Sequence, residues 1–149
     1  MMTNAIEQKN LKVIVFQLAD KEYAIPVSHV KGIEKLMHIT RVPKTARYVK
    51  GVINLRGVVT PVIDLRERFD LPISGNEETT RIIIITLETM EVGFVVDSAN
   101  DVLDIDASSI EQQPEVVGSF EEEFIAGVAK LENRLFILLH LAKVLNPPD

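Results

Sequence analysis

The stretch from Val49 to Arg66, VKGVINLRGVVTPVIDLR, decides the fold class. Within it, Val52 to Leu55 and Val58 to Ile63 are two short runs rich in β-branched residues, separated by only two residues. Such runs favour strands, and so short a separation predicts a β-hairpin. The second separating residue is Gly57, which can adopt the positive φ that a tight hairpin turn requires.

Runs of the same kind flank this hairpin and predict further strands. We predict three more hairpins: Lys12–Leu18 with Glu22–Val27, Arg81–Leu87 with Glu91–Val96, and Phe124–Leu131 with Arg134–Leu139. The helices are expected to be few and short: one turn from Ser28 before a strand that ends at Lys35, Leu65–Phe69 with Asp64 as its cap, Ser108–Gln113 and Leu141–Leu145. Many hairpins with few helices indicate an all-β chain, and the likeness between the hairpins suggests two similar barrels.

Length and composition indicate one soluble, cytoplasmic domain. The 149 residues fit a single domain, with residues 1–11 as a flexible N-terminus, and Val and Ile fill 34 positions, which favours strands. The chain has no cysteine, which excludes disulfides and thiolate metal sites. No segment approaches the roughly 18–20 apolar residues of a membrane span. The polar N-terminus lacks an apolar signal core.

Charged residues are segregated along the chain. Between Lys35 and Ile63 there are six basic residues and no acidic one. From Asp97 to Ala129 there are nine acidic residues and neither Lys nor Arg. Two explanations remain open: two faces of opposite sign, each complementary to a different protein, or two segments that lie side by side and neutralise each other.

The residues of common catalytic and metal sites are missing. His29, His38 and His140 have no second ligand at helical or hairpin spacing, so we predict neither a metal site nor a cofactor. The segment from Gly51 to Gly57 lacks the Lys-Ser/Thr pair of a phosphate-binding loop. We therefore predict that the protein is not an enzyme.

A nucleic-acid binder built on a small barrel is a rival from a different class. It would use the basic stretch from Arg41 to Arg56, but base stacking needs exposed aromatic rings. Tyr48 is the only aromatic residue in that stretch, and the net charge of −6 opposes binding to phosphates. We therefore expect a protein partner for this surface.

Arg56 is the residue best placed to anchor such a partner. It lies in the predicted turn, where the backbone holds it in place, and arginine is enriched at binding hot spots. The alternative is a structural ion pair with Asp64 or Glu34. Residue type alone leaves the two roles open.

The motif YVKGVINLRG from Tyr48 to Gly57, followed by PVIDLR from Pro61 to Arg66, resembles the CheW family of bacterial chemotaxis coupling proteins. The resemblance extends from about Lys12 to Leu145. It implies two intertwined five-stranded β-barrels that resemble SH3 domains, with no catalytic activity. Family members bridge the cytoplasmic tip of chemoreceptors to the regulatory domain of the histidine kinase CheA. The protein is thus expected to be recruited to membrane-associated receptor arrays; a scaffold for another receptor–kinase pathway is the alternative.

The resemblance also implies two binding surfaces. The residues implied for the receptor lie in a groove between the barrels: Val30, Gly32, Ile33, Gly51, Asn54, Arg56 and Val102. The residues implied for the kinase lie on a second face: Ile110, Glu111 and Val116. Many relatives have an acidic residue where Gly32 stands here. Whether Glu34 takes its place is left open, because adjacent strand positions point to opposite faces.

Overall fold

The computed structural model describes residues 10–73, 76–111 and 124–145. Strands dominate these ranges, so the all-β prediction is confirmed. The strands are β1 Asn10–Leu18, β2 Lys21–Pro26, β3 Val30–Lys35, β4 Val49–Leu55, β5 Val58–Asp64, β6 Arg81–Leu87, β7 Met90–Val96, β8 Ser98–Asp106, β9 Ile110–Glu111, β10 Ile125–Leu131 and β11 Arg134–Leu139. The helices are α1 Leu65–Arg68, α2 Leu141–Leu145 and two 3-10 turns at Val27–His29 and Ala107–Ser109.

The strands form two sheets that exchange strands. Sheet A has the order β8-β1-β2-β11-β10-β9, and sheet B has the order β3-β6-β7-β5-β4. Strand β3 follows β2 in the chain but pairs with β6 in sheet B. Strand β8 follows β7 but pairs with β1 in sheet A. The hairpins β1–β2 and β6–β7 thus each pass the next strand to the other sheet, which is the intertwined arrangement predicted.

In each sheet, the chain connects the two edge strands. In sheet A, one segment runs from β8 through the turn at Ala107–Ser109 into β9, so it supplies both edge strands. In sheet B, Thr40 follows β3 and bridges to Val52 of β4, with two N–H···O bonds of 2.9 Å. Sheet A has six strands rather than the predicted five because this turn divides one edge segment into β8 and β9. The arrangement is consistent with two SH3-like barrels.

Alternation along the strands produces three hydrophobic clusters. Ile82 and Ile84 point into a cluster made of sheet B residues, whereas Ile83 and Ile85 point into a cluster shared by the two sheets. The third cluster, around Phe136, consists of sheet A residues. Because β6 is covered on both faces, its run of four isoleucines is apolar throughout rather than alternating. The shared cluster unites the two sheets in one body.

The two halves of the chain repeat the same backbone features. The hairpins β1–β2 and β6–β7 each continue into a strand of the other sheet, and each is joined to a second hairpin by a parallel pair, β2 with β11 and β7 with β5. The Asp64 amide donates to the Tyr48 carbonyl at 2.8 Å, and the His140 amide donates to the Phe124 carbonyl at 2.8 Å. A pairing irregularity precedes Gly51 in β4 and Gly127 in β10. The chain therefore contains two equivalent halves.

Two local predictions differ from the structure. The predicted helical turn at Ser108–Gln113 begins earlier, because the Asp106 carboxylate accepts from the Ser108 amide at 3.0 Å and caps the turn. Ile110–Glu111 is a strand, and residues 112 and 113 lie outside the described residues. Asn10 and Leu11, assigned to a flexible N-terminus, pair with β8.

The predicted cap of the first α-helix is confirmed. The Asp64 carboxylate accepts from the Arg66 amide at 2.9 Å, and α1 ends at Arg68, one residue before the predicted end. Within the described residues, no helix has the length and apolar character needed to cross a membrane.

Candidate protein-interaction site

The structure brings Gly32, Ile33 and Arg56 together around one cavity of about 440 Å³. Strand β3 forms one side, and the turn between β4 and β5 forms the other. We call it the β3 cavity, and its lining residues are Lys31, Gly32, Ile33, Glu34, Leu55, Arg56, Val58, Ile84 and Glu91. Three of the seven residues implied for the receptor therefore share one concave surface.

The turn between β4 and β5 displays Arg56 towards solvent. Arg56 and Gly57 both have positive φ, 52° and 85°, as a two-residue hairpin turn of this kind requires. The Asn54 side-chain oxygen accepts from the Gly57 amide at 3.0 Å and fixes the turn. Arg56 keeps 76% of its side chain exposed, although its backbone is constrained. Asn54 thus acts by shaping the turn that presents Arg56.

Two ion pairs cross the β3 cavity. Arg56 Nη2 lies 3.4 Å from Glu34 Oε2, and Lys31 Nζ lies 3.5 Å from Glu91 Oε1. All four side chains are at least partly exposed, so solvent weakens both pairs, and each is expected to contribute less than about 1 kcal/mol to folding. Such weak pairs leave their charges available to a partner.

The Glu34 carboxylate lies next to Gly32, the position where many relatives are implied to have an acidic residue. Gly32 and Glu34 are two residues apart on β3, so they share a face, and the objection based on adjacent positions was wrong. A Cβ atom on Gly32 would lie 3.7 Å from Glu34 Oε2, so the Glu34 carboxylate occupies the space above the glycine. The other proposed partner of Arg56, Asp64, is buried and pairs with Arg66 at 2.8 Å.

Apolar side chains are exposed beside these charges. Ile33 is 42% exposed and Val58 is 51% exposed, whereas Ile84, which also lines the cavity, is buried. Exposed aliphatic groups next to loosely paired charges are the composition of a protein-binding patch with a polar rim. Among the described residues that line the β3 cavity, none is a cysteine, serine or histidine that could act as a nucleophile or general base.

Three implied receptor residues lie elsewhere. Gly51 is buried with φ +142°, and a Cβ atom there would lie 2.0 Å from the Thr40 carbonyl oxygen, so this glycine permits close packing of two backbone segments. Val30 is half-buried and packs against the shared cluster. Val102 is 57% exposed on β8 of sheet A, outside the β3 cavity.

The implied kinase residues lie at the edge of sheet A. Ile110 and Glu111 form β9 and pair with Ala129 and Val128 of β10. Glu111 is exposed and Ile110 is half-buried. Val116 lies outside the described residues.

The described residues of the two charged segments form ion pairs with other parts of the chain. In the basic stretch, Lys50 pairs with Glu67 and Arg56 pairs with Glu34. In the acidic segment, Asp101 pairs with Arg134, whose pKa is raised by hydrogen bonds to Glu22 and to Asp101. No ion pair between described residues joins the two segments, and four of the nine acidic residues lie outside the described residues, so both explanations stay open.

A buried ion pair lies where the chain passes from sheet B to sheet A. Arg66 of α1 pairs with Asp97, which lies between β7 and β8, at 3.1 Å. The pKa of Arg66 is raised, chiefly by its hydrogen bonds to Asp64, so this guanidinium stays charged. Asp97 also accepts from the Ala19 amide at 2.7 Å. These bonds stabilise the fold, and they occupy the charged groups of Arg66, Asp64 and Asp97.

Sequence reasoning missed Lys31, Val58 and Glu91 as parts of the site. Val58 had a local signal, since it follows the turn glycine directly. Lys31 and Glu91 had none, because β3 and β7 are separated by β6 in the sheet and by 55 positions or more in the chain. Among the described residues, no group of three or more His, Cys, Asp or Glu side chains is placed to hold a metal ion.

Comparison with known proteins gives one family. A model of the CheW-like domain matches residues 12–148. Chemotaxis protein CheW of Bacillus subtilis is 50% identical over 135 residues, which cover 91% of this chain and 86% of that protein. The crystal structure of the scaffolding protein TtCheW from Thermoanaerobacter tengcongensis has a TM-score of 0.85 at 34% identity, covering 92% of this chain and 93% of that one. The chain therefore belongs to the CheW family of chemotaxis scaffold proteins, which have no enzymatic activity.

Proposed function

We propose that this protein couples transmembrane chemoreceptors to the regulatory domain of the histidine kinase CheA, within receptor arrays at the membrane. The observation that carries the receptor side is the β3 cavity, where exposed aliphatic side chains lie beside Arg56. Membership of a chemotaxis scaffold family supports a role in bringing proteins together.

The receptor tip is proposed to bind the β3 cavity as a helix. Ile33 and Val58 would contact its apolar face, and Arg56 would pair with a carboxylate at its rim, as in other helix-in-groove contacts. An α-helix with its side chains is about 10–12 Å wide, so a helical hairpin can extend beyond the cavity. Val30 and Val102 are proposed as outer contacts on that path, while Gly51 and Asn54 shape the surface.

The kinase is proposed to bind the edge of sheet A. Glu111 is exposed there on β9, and Ile110 and Val116 are the other residues proposed for this face. Because this edge and the β3 cavity belong to different sheets, both partners can bind at once. The cluster shared by the sheets gives the rigid body that a coupling protein needs.

The test is reconstitution of receptor-containing membranes with CheA, in the presence and absence of this protein. We expect the protein to raise receptor-dependent autophosphorylation of CheA. Arg56→Glu should reduce co-sedimentation with receptor membranes but leave CheA binding intact, and Glu111→Lys should do the reverse. Lys143→Glu, at an exposed position of α2, is the control and should change neither. Equal kinase activity with and without the protein would contradict the proposal.

A further inference from the structure

A second concave surface lies on the loop between β3 and β4, apart from the β3 cavity. It has a volume of about 470 Å³, and we call it the basic crevice. Four cations line it together with one carboxylate: Arg41, Lys44, Arg47, Lys50 and Glu67. Ile39 and Val42 add apolar wall, and Val42 is 38% exposed. A crevice that combines cations with apolar wall suits an anionic ligand that also carries apolar groups.

The loop is held in place before any ligand binds. Its start is fixed by the paired hydrogen bonds between Thr40 and Val52. Thr45 Oγ1 donates to the Val42 carbonyl at 3.1 Å, and the Val49 amide donates to the Ala46 carbonyl at 3.0 Å. Binding therefore requires little ordering of the loop, which lowers its entropic cost.

The equivalent half of the chain shows that the fold does not require these cations. Two contacts define the equivalent positions. The bridge between Thr40 and Val52 corresponds to the pairing of Glu111 with Val128, and the hydrogen bond accepted by the Tyr48 carbonyl corresponds to the one accepted by the Phe124 carbonyl. Between these anchors, residues 41–47 are RVPKTAR, with three cations and no acid. The corresponding residues 112–123 are QQPEVVGSFEEE, with four acids and no cation. The fold therefore does not require cations in this loop, which points to a binding role for them.

Several charged atoms of the basic crevice lack close partners. Within the described residues, Arg41 and Lys44 form no ion pair. Lys50 Nζ is 2.9 Å from Glu67 Oε2, but Arg47 Nε is 3.9 Å from Glu67 Oε1, too far for a hydrogen bond. Glu67 Oε1 is buried and accepts no hydrogen bond from any described residue. A buried acceptor without a donor is unfavourable, so a hydrogen-bond donor from a ligand would stabilise the complex here.

We propose that the basic crevice binds a short acidic segment of a partner protein. Carboxylates of the segment would pair with Arg41, Lys44 and Arg47, and one of its backbone N–H groups would donate to Glu67 Oε1. A phosphodiester has no such donor. The net charge of −6 also repels long polyanions such as nucleic acid or an anionic membrane, whereas a short segment meets only the local cations.

The test is fluorescence anisotropy with a labelled peptide of alternating Glu and Leu. We expect salt-sensitive binding, and about a tenfold or greater loss of affinity in the Arg41→Glu/Lys44→Glu variant. The control, Lys130→Glu/Lys143→Glu, makes the same change in net charge at exposed positions elsewhere and should bind within about twofold of wild type. A backbone N-methylated peptide, which cannot donate to Glu67, should bind more weakly than its parent.

Three results would overturn this proposal. The first is an equal loss of affinity in the two double variants, which would show a non-specific charge effect. The second is tighter binding of phosphatidylglycerol vesicles or of duplex DNA than of the peptide. The third is self-association, seen by sedimentation velocity and abolished by Arg41→Glu/Lys44→Glu, because residues 112–123 of a second copy would then be the occupant. Circular dichroism checks that the variants are folded.

Discussion

The Arg68 guanidinium contacts the rings of both Tyr48 and Phe124, which occupy equivalent positions in the two halves of the chain. The Arg68 Cζ atom is 4.4 Å from the Tyr48 ring centroid and 4.5 Å from that of Phe124. Arg68 Nε also donates to the Val144 carbonyl at 2.8 Å. A single buried side chain thus connects α1, both halves and α2.

We predict that Arg68→Ala lowers the free energy of unfolding by about 3 kcal/mol, because it removes two cation–π contacts and a charge-assisted hydrogen bond from a buried site. Urea denaturation measures the loss. Arg134→Ala is the matched control: Arg134 also lies over a ring, that of Phe136 at 4.9 Å, but it is partly exposed. We expect a smaller loss there, and equal losses would contradict a special role for Arg68.

Gly51 provides a second test of what holds the molecule together. A Cβ atom at Gly51 meets the Thr40 carbonyl at 2.0 Å, whereas one at Gly57 meets nothing within 4 Å. We predict that Gly51→Ala destabilises the protein by about 3 kcal/mol or more, from overpacking and backbone strain together. Gly57→Ala should cost about 1 kcal/mol, since only the positive φ opposes it.

Thermal and urea unfolding of Gly51→Ala and Gly57→Ala measure these two losses of stability. The result also bears on Gly51 as an implied receptor residue. If Gly51→Ala remains as stable as wild type and still loses receptor binding, Gly51 contacts the receptor directly. We expect the opposite, a loss of binding that follows the loss of folded protein.

The hairpins could be predicted because their determinants are local. Alternating β-branched residues around Gly57 specify strands and a turn, and the Asp64 cap depends on a neighbour two residues away. Strand exchange could not be predicted from residue patterns, because β3 and β6 are linked by pairing between distant segments. The family resemblance supplied that part.

The candidate site was predicted in part for the same reason. The turn that presents Arg56 follows from the sequence. Glu34 is one of the two ion-pair partners that the sequence suggests for Arg56, and the structure pairs them. The sequence argument against Glu34 as a substitute at position 32 fails because it applies the two-residue period of the strand to the wrong pair of positions. The Lys31–Glu91 pair depends on strand order across a sheet, which the sequence does not reveal.

The exposed aliphatic side chains of the β3 cavity give a third prediction. Ile33→Asp should weaken binding to receptor membranes by about 2 kcal/mol or more, because a carboxylate would be buried against an apolar helix face. Leu135→Asp is the control, since Leu135 is 50% exposed on β11 of the other sheet. Co-sedimentation measures both. An equal effect of the two substitutions would show that the β3 cavity is not the preferred contact.

The Arg56–Glu34 ion pair gives a fourth prediction, which separates a binding role of Arg56 from a structural one. Arg56→Glu should leave the protein folded, because the side chain is mostly exposed. It should weaken receptor binding by about 2 kcal/mol or more, since arginine at a displayed turn is a typical hot spot.

The charge swap Glu34→Arg/Arg56→Glu then decides between the two roles. It restores an ion pair within the protein but puts the cation on β3 instead of on the turn. If Arg56 serves the receptor directly, the swapped protein binds as weakly as Arg56→Glu in co-sedimentation, although its unfolding free energy returns to the wild-type value. Recovery of receptor binding in the swap would mean that the pair only maintains the shape of the cavity. We expect no recovery, because a guanidinium that is 76% exposed and 3.4 Å from its partner contributes little to folding and remains available to another carboxylate.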